Sequence, residues 1–169
     1  MSIIWYISFP KELQVFRLSD MVCADEKLRF EMLNECDFGV TSTDAIFNDC
    51  FKNSFVYEFY VNLPDTYYDR QAEIMYNSEL DEKAKGQKLK KLSDERMLLY
   101  QQMLYEFINK NVHVGEFAEI YTAWHDHKNF EFESPTSEHS INLKSLLNEP
   151  MRMNAPNLEE RHRLTIYKV

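Results

Sequence analysis

The apolar positions of this chain follow two periods. In residues 2–9, SIIWYISF, every second residue is apolar on both sides: Ile3, Trp5 and Ile7 alternate with Ile4 and Tyr6. A segment apolar on both alternating faces predicts a strand buried on both, central in its sheet. Pro10 ends it. Proline suits a helix's first turn, so KELQVFRL reads as a helix start, with an extended segment as the alternative. Residues 25–36, DEKLRFEMLNEC, place Leu28 and Met32 four apart with Leu33 beside them, the spacing of an amphipathic helix. Residues 37–43 read as loop. Asp44 then reads as the cap of a short helix carrying Ile46 and Phe47. FVYEFYVNL, residues 55–63, alternates again, with Phe55, Tyr57, Phe59, Val61 and Leu63 on one face, and predicts a strand.

Beyond Pro64 the period lengthens. Residues 67–110 contain no proline and are rich in Glu, Lys, Gln, Leu and Met, all good helix formers. Gly86, in the polar patch DEKAKGQK, marks the expected break, giving helices near 66–84 and 88–110 and hence an αα-hairpin. The second helix carries a stripe of Leu89, Leu92, Arg96, Leu99, Met103 and Phe107, widened by Tyr100, Leu104 and Ile108. The first carries the weaker stripe Tyr67, Gln71, Ile74 and Ser78. From Val114, VGEFAEIYTAWH alternates to Trp124 as a strand. Residues 129–132 start another, SPTSEHS reads as a turn, and SINLKSLL fits either period. PMRMNAPN reads as a loop, and RLTIYKV closes the chain as a strand. Strands near 2–9, 55–63, 114–124 and 163–169, mixed with helices in no strict βαβ order, predict one α+β domain over residues 1–169. Its sheet is expected to be mixed or antiparallel.

Composition narrows the function classes. Apolar residues make up 44% of the 169, enough for a core. Aromatics reach 14%, and a surplus of rings suits a recognition surface. Only three glycines occur, which argues against glycine-cradled nucleotide sites. The net charge of −9 repels nucleic-acid phosphates and anionic lipid heads and attracts basic proteins. The charge is uneven: residues 116–138 carry six acids against Lys128 alone, whereas residues 81–96 carry six bases against four acids. The basic stretch KAKGQKLKK has no interleaved aromatic and is bordered by Asp81, Glu82, Asp94 and Glu95, so it reads as a solvated helix junction. Cys23, Cys36 and Cys50 form no CxxC and leave one over, so neither a disulfide framework nor a zinc knuckle is expected. MSIIWYISFPKEL lacks the basic start and long apolar stretch of a secretory signal, and no apolar run approaches 18 residues. A cytoplasmic protein with no membrane span is expected.

Three chemistries compete for TAWHDHKNFEFE, residues 122–133. On a continued strand His125 and His127 share a face, and Glu119 or His113 is available as a further ligand. No HExxH or CxxC accompanies them, so neither a metal nor any other cofactor is expected, and the bland reading is a solvated strand end. Catalytic acids are too numerous for any pair to stand out, and no nucleophile motif is present, so no catalytic residue is assigned. The third reading takes acids and rings together. Glu116, Glu119, Asp126, Glu131 and Glu133 are interleaved with Tyr121, Trp124 and Phe130. Acids accelerate encounter with a basic partner and aromatics supply buried anchors. These eight residues are the expected partner-binding sector, with Asp44, Asp49 and Glu58 as the alternative acidic face. The bland reading turns the rings inward and leaves the acids to solvate the outside.

In its size, acidity, opening strand MSIIWYISF and abundance of Phe and Tyr, with no catalytic signature, the chain resembles the immunity proteins of bacterial contact-dependent growth inhibition and related polymorphic toxin systems. These share no diagnostic motif, so the resemblance transfers no residue. It implies a cytosolic bacterial protein that binds and blocks one cognate toxin domain, often a tRNA- or DNA-cleaving nuclease whose active site is positive. Two alternatives stand beside it: an enzyme built on His113, Glu119, His125 and His127, and an adaptor or structural subunit.

Overall fold

A computed structural model describes residues 2–13, 16–17, 37–43, 45–62, 65–125, 131–148 and 161–169. The chain is an α+β domain. In order, its elements are β1 (Ser2–Phe9), β2 (Phe16–Arg17), β3 (Asp37–Ser42), β4 (Ile46–Phe47), β5 (Phe55–Asn62), α1 (Asp65–Tyr76), α2 (Glu82–Asn111), β6 (Phe117–His125), β7 (Glu131–Phe132), β8 (Ser137–Asn142), a 3-10 turn (Leu143–Leu147) and β9 (His162–Tyr167). Seven strands form one sheet in the order β2-β3-β5-β1-β6-β9-β8. Every neighbouring pair is antiparallel except β8 and β9, which run parallel, so the sheet is mixed. β4 and β7 form a separate parallel pair.

β1 is the middle strand, as its two apolar faces predict. Ile7 and Phe9 point to the helical side, where they join Tyr57, Phe59, Ala118, Ile120 and Ile166. Met103, Leu104, Phe107 and Ile108 of α2 close over them, with Phe9 edge-on to Phe107 at 5.3 Å. Burying each such side chain stabilises by about 1.5–3 kcal/mol. Tyr6 and Ser8 point the other way and are also buried. The cover on that side is residues 45–53 together with β7. Phe47 stacks on Phe132 (5.4 Å, 14° between planes), and both rings meet Tyr6 edge-on.

The break between the helices falls at residues 77–81, earlier than the glycine suggests. Asp81 is the N-cap of α2, its carboxylate accepting from Ala84 N at 2.7 Å, and the Asn77 side chain accepts from Glu79 N at 2.8 Å. Two polar side chains thus satisfy the backbone at the break. Gly86 lies inside α2 on its exposed N-terminal half, where a Cβ would meet nothing within 4 Å. The lysines of KAKGQKLKK ride on this solvated half, and the buried residues gather toward the other end.

Four local expectations fail. Residues 37–42 are strand β3, not loop, because β5 supplies their hydrogen-bonding partner. Ile46 and Phe47 pair with Glu131 and Phe132 and form no short helix. Phe16 and Arg17 are extended, so the helix expected from Pro10 gives way to its alternative. SEHS opens β8, where β9 runs beside it. The strand expected from Val114 begins at Phe117, since Gly115 takes φ 90° in a turn whose N–H bonds Lys168 O at 2.8 Å. The helix expected at 25–36 and the loop at 150–157 lie outside the described residues. Among the described residues no helix is long and apolar enough to cross a membrane.

Candidate functional site

Alternation along β6 decides where the acidic sector goes. Ala118 and Ile120 face α2, so Glu119 and Tyr121 face the opposite side, opposite Ser8 and Tyr6 of β1. That side is covered, and both residues are 0% exposed. Glu119 and Tyr121 are therefore withdrawn from the expected partner-binding surface.

Glu119 organises the cover. Its Oε2 accepts from Ser8 Oγ at 3.0 Å, Lys52 N at 2.9 Å and Asn53 N at 3.0 Å. Two successive backbone N–H groups converging on one anion form a small nest, the geometry by which loops hold charge. Asp49, in the left-handed region at φ 58°, precedes this turn and helps reverse the chain. Asn53 Nδ2 donates to Phe117 O at 3.1 Å, fastening the same turn to the start of β6. Arg163 of β9, 6% exposed, brings its Nε to 3.7 Å from Glu119 Oε1, an ion pair without a hydrogen bond. Its Nη1 donates to Cys50 O at 3.0 Å and its Nη2 meets Glu138 Oε2 at 2.7 Å. One guanidinium therefore ties β9, β8 and the covering segment to the buried carboxylate. Charges this deeply buried require such pairing.

The cover also sets the titration of its neighbours. Burial, reinforced by the Glu58 carboxylate and partly offset by a hydrogen bond with Thr43, pushes the Tyr6 phenol up to about 12. Burial, then the adjacent Cys50, pushes Tyr121 up as well. Cys50, a buried free thiol donating to Glu133 O at 2.9 Å, is raised chiefly by burial. The hydrogen bond from Arg163 holds Glu138 below the usual carboxylate range.

The rest of the sector is divided. Glu133 is exposed and meets Arg161 Nη1 at 3.1 Å. Glu116 folds back, its Oε2 accepting from His113 N at 2.8 Å. Glu131 lies in β7 and Trp124 in β6, and their side chains are not among those described. Asp126, Phe130 and His127 lie outside the described residues, and His125 ends β6. The enzyme alternative loses its carboxylate, because Glu119 is sealed beneath residues 45–53. Among the described residues no group of three His, Cys, Asp or Glu is placed to hold a metal ion. On the alternative acidic face Asp49 is exposed and Glu58 half-buried, and Asp44 lies outside the described residues.

Large apolar side chains meet solvent elsewhere. On α1, Tyr68 is 56%, Met75 49% and Tyr76 83% exposed. They stand at i, i+7 and i+8, one helical face, with the exposed acids Asp69 and Glu73 beside them. The inward stripe of Tyr67, Gln71 and Ile74 is half-buried. The outward face follows from the same wheel by taking the apolar residues that the inward stripe omits.

No protein-family profile matches this chain, and no curated protein and no solved structure matches it.

Proposed function

We propose that this is a partner-binding protein that makes and breaks no bonds: an immunity protein that occupies the positively charged active site of a cognate toxin, a nuclease domain being the class that best fits its charge. The observation that carries the reading is the net charge of −9 on a chain of this size. Such a field speeds encounter with a basic surface and opposes direct contact with nucleic acid. The burial of Glu119 supports the same reading, since a carboxylate held by Ser8, Lys52, Asn53 and Arg163 serves the fold and has no access to a substrate. On this reading the protein works in the cytoplasm of the cell that makes the toxin.

The test uses the domain that the reading frame directly upstream of this gene encodes, which on this reading is basic. Purified chain added to that domain is expected to abolish its nuclease activity at one equivalent, with association slowing as salt rises. Full nuclease activity in the presence of excess chain, or turnover of a substrate by the chain alone, overturns the proposal.

A further inference from the structure

We infer that the outer edge of β8 takes up an extended segment of the partner as an added strand, an inference that rests on the reading above. β8 ends the seven-stranded sheet, and among the described residues no strand pairs with its outer side. The Ser137 N–H donates to Arg161 O, at the entry to β9, at 3.1 Å. Backbone groups alternate sides along a strand, so His139 and Ile141 also turn theirs toward β9. Glu138 and Ser140 then turn N–H and C=O outward, and both residues are exposed. Four backbone groups at strand spacing specify their occupant by geometry. Another extended chain meets them in register, whereas a helix, whose own backbone groups are satisfied, does not.

The edge is also open and pre-formed. Native edge strands are commonly guarded by lysine, proline or a bulge. SEHSIN holds neither lysine nor proline, and it pairs with β9 through six consecutive positions without a bulge. Its one carboxylate, Glu138, is drawn back onto Arg163 at 2.7 Å. The chain entering β8 is fastened at Thr136, whose N–H donates to Arg161 O at 2.8 Å and whose Oγ1 accepts from Arg161 N at 2.9 Å. The far end runs into the buried Leu143 and Leu146. An added strand therefore meets backbone that is already fixed, which lowers the cost of ordering it. The opposite edge, β2, is two residues long. A second copy is the poorer occupant, because two such edges alone bury far less than the roughly 1,200 Å² of a stable interface and each copy carries −9. For a partner whose active site is covered, the strand is one part of a larger contact.

The test follows amide exchange of the full chain by NMR, alone and with the domain that the upstream reading frame encodes. Alone, the Glu138 and Ser140 amides are expected to exchange faster than that of His139, which is bonded to β9. In the complex the first two are expected to slow at least about tenfold while His139 changes little, an alternation that added-strand pairing produces. Ser140→Pro removes an outward N–H and leaves the bonds to β9 intact, a place where an edge strand accepts proline. It is expected to raise Kd at least about tenfold, and Ser140→Ala, which keeps the N–H, less than about threefold. If Ser140→Pro fails to fold, the exchange pattern of the wild type decides alone. If the wild type binds with no slowing at Glu138 and Ser140, the edge assignment is wrong and the proposed function stands. If the wild type does not bind, both fall. If the two amides are already protected in the free chain, a second copy or another segment of this chain holds the edge, and the assignment is overturned.

Discussion

Replacing Glu119 by alanine removes the acceptor for three hydrogen bonds, from Ser8 Oγ, Lys52 N and Asn53 N, and the counter-charge 3.7 Å from Arg163 Nε. A buried donor left without a partner costs about 1–3 kcal/mol. Breaking one side of a buried ion pair costs about 3–5 kcal/mol in all. Arg163 keeps Glu138 and the Cys50 carbonyl, which limits the damage. The expected loss is about 4 kcal/mol. In a chain this long, at about 2–4 °C per kcal/mol, that lowers Tm by about 8–16 °C. Glu119→Gln keeps an acceptor for the nest but turns an amide donor toward the guanidinium, so it is expected to lose about 2 kcal/mol. Urea unfolding followed by circular dichroism gives the energies, and hydrogen exchange at Lys52 and Asn53 reports the local release. A loss under about 1 kcal/mol for Glu119→Ala, with both amides still protected, would refute the assignment of this carboxylate as the anchor of the covering segment.

Three further outcomes are expected. Gly86→Ala adds a Cβ into open space inside a helix and should stabilise by about 0.5–1 kcal/mol, read as a rise in urea midpoint. The Tyr6 phenol ionises near 12 in the folded chain and near about 10 unfolded, so the unfolded state sheds its proton first and stability falls as pH rises from about 10 to about 12. Tyr121 and Cys50, both raised, act in the same direction, and a urea midpoint that stays level from pH 8 to 11 would contradict this. In a Cys23→Ser/Cys36→Ser background, Cys50 should react with iodoacetamide at least about 100-fold more slowly in the folded chain than in urea, because the thiol is buried and its thiolate disfavoured.

The elements legible in the sequence are those whose own residues carry the whole signal. β1 is apolar on both alternating faces, and the C-terminal half of α2 holds an unbroken apolar stripe. Neither needs a distant partner to be recognised. β3 was not legible: DFGVTS has a glycine, an acid and hydroxyls, and it becomes a strand only because β5 pairs with it. Ile46 and Phe47 owe their extended form to Glu131 and Phe132, far along the chain. The same remoteness hid the role of Glu119. AEIYT alternates like any half-exposed strand, and nothing within it says that residues 45–53 will cover its polar side. Tyr121 reads as an exposed anchor on the same ground, and the same cover buries it. The outward face of α1 is legible on the same helical wheel, as the apolar residues Tyr68, Met75 and Tyr76 that the inward stripe omits.

Titrating the purified chain into the domain that the upstream reading frame encodes tests the central claim most directly. A one-to-one complex whose association slows as salt rises, with the domain's nuclease activity lost at one equivalent, is the predicted result. No binding, or full nuclease activity at excess chain, would contradict it.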